Sequence, residues 1–304
     1  KVYTRIASCK RTASEGVNGN DLYLNFSESY QNYYQYAKEH CDSAISGQGF
    51  YLSSSLDDWV SIFDADNGNN QEMVFDVQGS SLSGQGTAVS NLFTPRNAGL
   101  SGSGFGGNNK LKPLFINNMI DKFDNRYQNS IITQYETATR QFNINPWSTG
   151  YIPTNLENGN TLGTLWQVWT AKYIDTEATT EYTSRQNWHV IRLADVYLMR
   201  AEANAEILSD PSAANSDINI LRTRVEMNEV DYSSMSMDDF REEILRERAV
   251  ELYMEGHRFF DLTRFGVYDE YCRFVYGDTD GARQAEDYTW PIPLIEVSTN
   301  SEID

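Results

Sequence analysis

The feature that most constrains this chain is a helical spacing of apolar residues that comes in pairs. Between Glu28 and Ser46, Tyr30, Tyr33, Tyr34, Ala37, Cys41, Ala44 and Ile45 recur three and four residues apart, the spacing that draws one apolar stripe along a helix. Ahead of it, Lys1 to about Ala13 sets Val2, Ile6 and Cys9 or Ala13 on a similar stripe, and the Gly16–Asn20 loop joins the two. From Asn187 onward the pattern returns. Trp188 to about Leu208 carries Ile191, Val196, Met199 and Ala203, and Ser212 to about Glu226 carries Ile218, Leu221 and Val225. Met237–Glu255 carries Phe240, Ile244, Leu245 and Leu252, with Ser236 as its cap and Gly256 as its stop. Ser209-Asp210-Pro211 divides the earlier two, Pro being suited to a first helical turn. A helix with one apolar stripe must bury it against a neighbour, so helices in consecutive pairs predict an array of helical hairpins. The fold class expected is mainly α, with long irregular loops and a few short strands.

The middle of the chain reads differently. Gly47-Gln48-Gly49 ends the second helix, and Met73–Val77 reads as a short strand. Gly79–Asn109 follows, 31 residues with 8 Gly and 6 Ser in which Arg96 is the sole charge. A stretch of this kind is either a flexible linker or a binding loop. Leu92, Phe93, Pro95, Arg96 and Phe105 are not linker residues and favour the loop. Residues 110–187 are mixed, with a strand-like Ser130–Tyr135 and an aromatic group of Trp147, Tyr151, Trp166, Trp169 and Tyr173. The organisation expected is one domain over 1–304: a helix pair at 1–46, a loop-rich ligand-binding region at 47–187, and a helical scaffold at 188–304. Because the first helix starts at Lys1 with no cap before it, the sequence reads as one cut inside an element, with an N-terminal part preceding it.

Charge excludes some partners. Asp and Glu number 43 against 24 Lys and Arg, a net charge of −19, and every cation after Lys172 is arginine. Nucleic acids and anionic membrane surfaces need clustered cations and are poor partners for such a chain. Cys9, Cys41 and Cys272 are too few and too scattered for a disulfide framework. No apolar run approaches the ~20 residues of a membrane helix. Ile6-Ala7-Ser8-Cys9 matches a lipoprotein cleavage box, but only five residues precede it, so the match is read as chance. Tyr 19, Phe 14 and Trp 6 make the chain rich in aromatics. Rings beside amide-rich, uncharged loops suit sugars, which are apolar on their C–H faces and hydrogen-bonding at the rim. Most of these rings are nevertheless expected in the core.

Motifs of catalysis and metal binding fail on context. Gly102-Ser-Gly104-Phe-Gly106-Gly107 satisfies a dinucleotide pattern without the flanking strand and helix it needs. Asp64-x-Asp66 with Gly68 lacks the sixth-position Gly and twelfth-position acid of a calcium loop, and Asp278-x-Asp280-Gly281 is weaker. His40, His189 and His257 stand apart in sequence. In Arg241–Glu251, Glu242, Glu243, Arg246, Glu247, Arg248 and Glu251 lie three and four apart, which predicts acid–arginine pairs along one helix. Arginine neighbours keep such acids ionised and unsuited to general-acid work, so the run reads as structural. No cofactor and no metal are expected.

At this helix the text resembles a known family. Glu247-Arg248-Ala-Val-Glu251-Leu252-Tyr-Met-Glu255-Gly256-His-Arg258-Phe-Phe-Asp261-Leu262-Thr-Arg264-Phe-Gly266 looks like the signature of the SusD/RagB family of outer-membrane nutrient-binding lipoproteins. Asp121-x-x-Asp124-x-Arg126, Lys172-Tyr173, Val190–Ala203, Ile218-Asn219-x-Leu221-Arg222-x-Arg224 and Trp290-Pro291-Ile292-Pro293 with Glu296 follow the family's order. The signal peptide and lipid-bearing cysteine of full-length members are absent, and the chain stops soon after the Pro-Ile-Pro block.

The resemblance implies tetratricopeptide-like helix pairs (a SusD-like fold) and a non-enzymatic protein. Such proteins bind oligosaccharide or polysaccharide, sometimes peptide, at the cell surface and sit as a lid on a SusC-like TonB-dependent transporter. It places the full-length protein on the outer membrane, surface-exposed and lipid-anchored. Two rivals remain: a peptide- or protein-binding helical-repeat module, and a glycoside hydrolase. The recognised blocks are scaffold, with Glu247, Arg248, Glu255, Arg258, Asp261 and Arg264 expected to lock helices together. Ligand contacts in such proteins lie on variable loops, so the candidate glycan-binding residues come from chemistry. Phe93 and Phe105 would stack on sugar faces, while Arg96 and Asn97 would donate to hydroxyls, or Arg96 to a carboxylate. Trp147 and Tyr151 come second, with Asn143 or Asn145 beside them.

Overall fold

The computed structural model describes residues 1–47, 49–82, 84–100, 107–137, 140–143, 154–155, 168–180, 182–275, 282–289 and 293–299. The elements run α1 (Val2–Ser14), α2 (Tyr30–Ser46), α3 (Leu56–Ser61), β1 (Met73–Val77), α4 (Val89–Phe93), α5 (Pro113–Met119) and α6 (Asn125–Gln128). There follow β2 (Gln134–Thr137), β3 (Arg140–Asn143), β4 (Thr154–Asn155), β5 (Trp188–Arg192), α7 (Leu193–Leu208), α8 (Asn215–Thr223), α9 (Met237–Glu251) and α10 (Arg258–Phe265). The fold is mainly helical, as the paired stripes predict.

Ser29 and Ser236 cap α2 and α9, each hydroxyl accepting from the backbone N–H three residues on. Helix α1 packs on α2 through Ile6, Ala7, Tyr33 and Tyr34, with Ala203 of α7 beneath them. Cys41 of α2 meets Leu193, Val196 and Met199 of α7. On its other side α7 buries Ala194, Leu198, Ala201 and Ala205 against Ile218, Leu221, Phe240, Ile244 and Leu245. Eleven of the sixteen residues of α7 are buried, so it is the central helix, and its alanines let neighbours approach on every side.

Two boundaries differ from the helical spacing. Trp188–Arg192 is not the start of a helix but strand β5, paired antiparallel with β1 in the register Val77↔Trp188, Asp76↔His189 and Met73↔Arg192. Its aromatic and β-branched residues suit a strand, and the pairing overrides the periodicity. Helix α9 ends at Glu251 rather than Glu255, because Met254 and Gly256 both adopt left-handed backbone, φ 61° and 81°. The Gly-rich stretch has local structure. Residues 79–82 and 84–100 are anchored: they include α4, pair Thr87 with Ser184, and bury Ser90, Asn91, Phe93, Thr94 and Ala98.

The charge run is structural, but its key acids reach outside the helix. Arg241–Asp238 and Arg246–Glu243 do close along α9. Glu247 instead takes Arg126 (2.5 Å) and Arg222 (3.0 Å), and Glu251 takes Arg192 (2.7 Å), Arg224 (2.6 Å) and Arg126 (3.1 Å). Glu72 joins Arg192 and Arg224 from below β1, and Trp59 Nε1 donates to Glu251 at 3.1 Å. Burial alone would raise the Glu251 carboxyl, but Arg224, Arg192 and Arg126 outweigh it and hold it well below the usual carboxylate range. A second cluster ties α2, α7, α9 and α10: Arg248 to Asp195 and Asp261, Arg264 to Glu202 and Asp261, and the Tyr34 hydroxyl to Glu202. The signature residues thus lock helices together.

Candidate functional site

The turn between α9 and α10 is held from below by two buried cations. Lys172 Nζ donates to the carbonyls of Glu251 (3.0 Å) and Tyr253 (3.3 Å) and to Glu255 Oε1 (2.7 Å). Arg192 Nη2 donates to the Glu251 carbonyl at 2.7 Å and its guanidinium grips both Glu255 oxygens. These are the carbonyls a helix end leaves without partners, and a cation there also meets the negative end of the helix dipole. Burial pushes the Lys172 ammonium down to about 8 even with Glu255 beside it. Glu255, which burial would raise, is held down at about 2 by Arg192 and Lys172. Tyr173 completes the clamp, its hydroxyl donating to the Met254 carbonyl at 3.0 Å.

Above this clamp lies an open groove of about 420 Å³, lined by Phe93, Asn108, Asn109, Lys110, Trp188, Met254, Gly256, His257, Arg258 and Phe259. Its residues come from four places, the last being the α9–α10 turn itself. Phe93 ends α4. Asn108–Lys110 return against that helix, with Asn109 N–H donating to the Leu92 carbonyl and Gly107 N–H to that of Asn91. Trp188 opens β5, stacked on Tyr173 at 5.7 Å and tilted against Phe93 at 5.7 Å. Gly256 is required on two counts. Its φ is left-handed, and a Cβ there would come within 3.1 Å of the Trp188 ring.

The groove carries a ring surface, amides and cations. Trp188, Phe259 and Arg258 are half-buried and Asn108 is exposed. His257 is buried, its Nδ1 3.0 Å from Lys1 Nζ, and burial lowers its imidazole below the ordinary range. Arg258 donates to the Leu245 carbonyl and lies 4.9 Å from the Tyr271 ring. None of the ten lining residues is a carboxylate.

Of the residues expected from chemistry, Phe93 is in this groove, but at 7% exposure it is a wall packed against Tyr173 and Trp188 rather than an open platform. Arg96 and Asn97 are exposed just past α4, where Asn97 has left-handed φ 58°. Phe105, Trp147, Tyr151 and Asn145 lie outside the described residues, and Asn143 falls in β3. Sequence reasoning missed Trp188, Lys110, Arg258 and Phe259. Helical spacing puts Trp188 in a helix, and the family blocks put Arg258 and Phe259 in the scaffold. The available signal was Asn108-Asn109-Lys110 closing a Gly-rich stretch, together with a glycine directly after a helix stop.

The SusD family model matches residues 19–304. This chain belongs to the SusD family. It is 36% identical over 134 residues to SusD-like protein P25 of Formosa agariphila, covering 42% of this chain and 25% of that protein. Against the starch-binding protein SusD of Bacteroides thetaiotaomicron it is 33% identical over 116 residues, 36% of this chain and 19% of the other. Among solved structures, surface glycan-binding protein A from Bacteroides thetaiotaomicron in complex with laminarihexaose superposes with a TM-score of 0.66 at 18% identity. That match covers 93% of this chain and 60% of the other. A laminarin-binding SusD-like protein gives 0.58 at 21% identity, over 92% and 60%. The structural likeness is one of fold. The chain spans a fifth to a quarter of these curated relatives and three fifths of these solved structures.

Proposed function

We propose that this SusD-family chain binds oligosaccharide or polysaccharide without cleaving it, in the groove over the α9–α10 turn. The observation that carries the reading is the groove itself. It sets Trp188 and Phe259 beside Asn108, Asn109, Lys110 and Arg258 on a rigid base, the mix of apolar face and convergent polar groups that a sugar requires. The names of its relatives, starch-binding and laminarin-binding, support a glycan as the ligand class. A non-catalytic role is supported because glycosidic hydrolysis uses two facing carboxyl groups, and the groove lining holds none among the described residues. Glu247 and Glu251, the buried acids of the charge run, are held by arginines. Family membership supports delivery to a TonB-dependent transporter, on the cell surface of the outer membrane. No helix among the described residues is long and apolar enough to cross a membrane.

The test is isothermal calorimetry on the full chain against neutral and acidic oligosaccharides, with product sizes followed by chromatography. Saccharide binding that Asn109→Ala weakens about tenfold, with chain lengths unchanged, is the expected result. Shortened chains would overturn the non-catalytic reading. Binding of unstructured peptides with no saccharide response would move the protein to the helical-repeat module class.

A further inference from the structure

The chain carries nearly two acids for each base, and its groove inverts that balance. Ten lining residues include Lys110 and Arg258, and no Asp or Glu. A smaller apolar cavity of about 180 Å³ adjoins it, sharing Lys110, Met254, His257 and Arg258 and adding Lys112 at its rim. The one acid of that cavity, Asp261, is already held by Arg248 and Arg264. Elsewhere the buried cations of this chain are tied to carboxylates, as Arg126, Lys172 and Arg192 are. Lys110, half-buried, makes no hydrogen bond and no ion pair among the described residues, and its ammonium only lies 5.8 Å from the Trp169 ring. A half-buried ammonium without a carboxylate, in a groove with no acid among its described lining residues, fits a ligand that brings its own negative charge.

We propose that the groove selects an anionic glycan, with Lys110 and Arg258 receiving a carboxylate or sulfate group of a sugar seated beside Trp188. This deepens the function proposed above and rests on it. The net charge of −19 does not oppose it in ordinary salt. At 0.15 M the Debye length is about 8 Å, so distant acids are screened while a contact pair in the groove is not.

The experiment compares three ligands by calorimetry on the full chain in 0.15 M NaCl: oligoalginate for carboxylate, a sulfated galactan oligosaccharide for sulfate, and laminarihexaose as the neutral control. Lys110→Gln is the test variant, and Lys122→Gln, beyond the groove, controls for charge alone. Thermal melts show whether the variants are folded. The expected result is that at least one acidic ligand binds tenfold or more tighter than laminarihexaose. Lys110→Gln should weaken that ligand at least tenfold more than it weakens the neutral one, while Lys122→Gln changes neither. The acidic ligand that responds identifies carboxylate or sulfate. Equal binding of neutral and acidic ligands, or no response to Lys110→Gln, overturns the charge selection and leaves the glycan groove standing. No saccharide binding by any form overturns both.

Discussion

Lys172 and Lys110 both border the turn that follows α9, and they are treated in opposite ways. Lys172 is 1% exposed and closed in by two backbone carbonyls and the Glu255 carboxylate. Lys110 opens into the groove with neither hydrogen bond nor ion pair among the described residues. The contrast extends to the regions around them. Below the turn Lys172, Arg126, Arg192 and Arg224 are each matched by an acid, and α3, α6, β5 and the residue after α8 meet at Glu251 of α9. Above it, cations and rings share a groove with no carboxylate among its described lining residues. Buried charges left single are strongly destabilising, so complete pairing marks a scaffold. Charges in a half-open groove can wait for a ligand, because water satisfies them meanwhile.

If this division is right, damage below the turn should fall on stability and damage above it on binding. The largest effect is expected from Glu251→Ala, which takes one shared carboxylate from Arg126, Arg192 and Arg224 at once. A loss of about 3–5 kcal/mol is expected in urea unfolding, the range for breaking a buried ion pair. A loss under 1 kcal/mol would mean that the network is incidental to the fold.

Acid should probe the same layer more gently. Glu255 has an ordinary carboxyl value of 4.5 and is held at about 2 in the folded protein. Its stabilisation is therefore complete above pH 4.5 and is lost as pH falls from 4.5 toward 2, roughly 3 kcal/mol by linkage. Unfolding midpoints measured between pH 6 and 3 should fall steeply for the wild type. They should fall less for Glu255→Gln, which has no such carboxyl to protonate.

Gly256→Ala lies on the boundary between the two regions. The left-handed backbone alone costs roughly 1–2 kcal/mol with a side chain present, and the new methyl meets Trp188. Both a lowered melting temperature and weakened saccharide binding are expected from this one change. Retained binding would place Trp188 outside the ligand contact. The smallest stability effect belongs to Lys110→Gln, within about 0.5 kcal/mol of wild type, as for surface changes that break no network. A larger loss of stability would make Lys110 part of the scaffold and remove the contrast.

Much of the scaffold can be read from the chain because its signals are local. The stripes of α1 and α2, the cap at Ser236, and the β1 run each depend on residues within a few positions. The error at Trp188–Arg192 has a specific cause. Helical spacing in that stretch competes with a strand partner more than a hundred residues earlier, and only pairing with β1 decides it. The same limit applies to the groove. Phe93 was legible as an aromatic in a Gly-rich stretch, yet its burial depends on Tyr173 and Trp188, which belong to other parts of the chain.

By itself, the sequence determined a mainly helical chain of paired amphipathic segments, its membership of a family through the Glu247–Gly266 block, and the structural role of its paired charges. Periodicity, caps and charge type act over a few residues and survive without knowledge of the fold. The tertiary structure decided which acid each arginine meets, why Gly256 cannot carry a side chain, and that Phe93, Asn108–Lys110, Trp188 and Arg258–Phe259 share one groove. Those facts depend on distances between segments far apart in the chain, and such distances are set only when the helices pack.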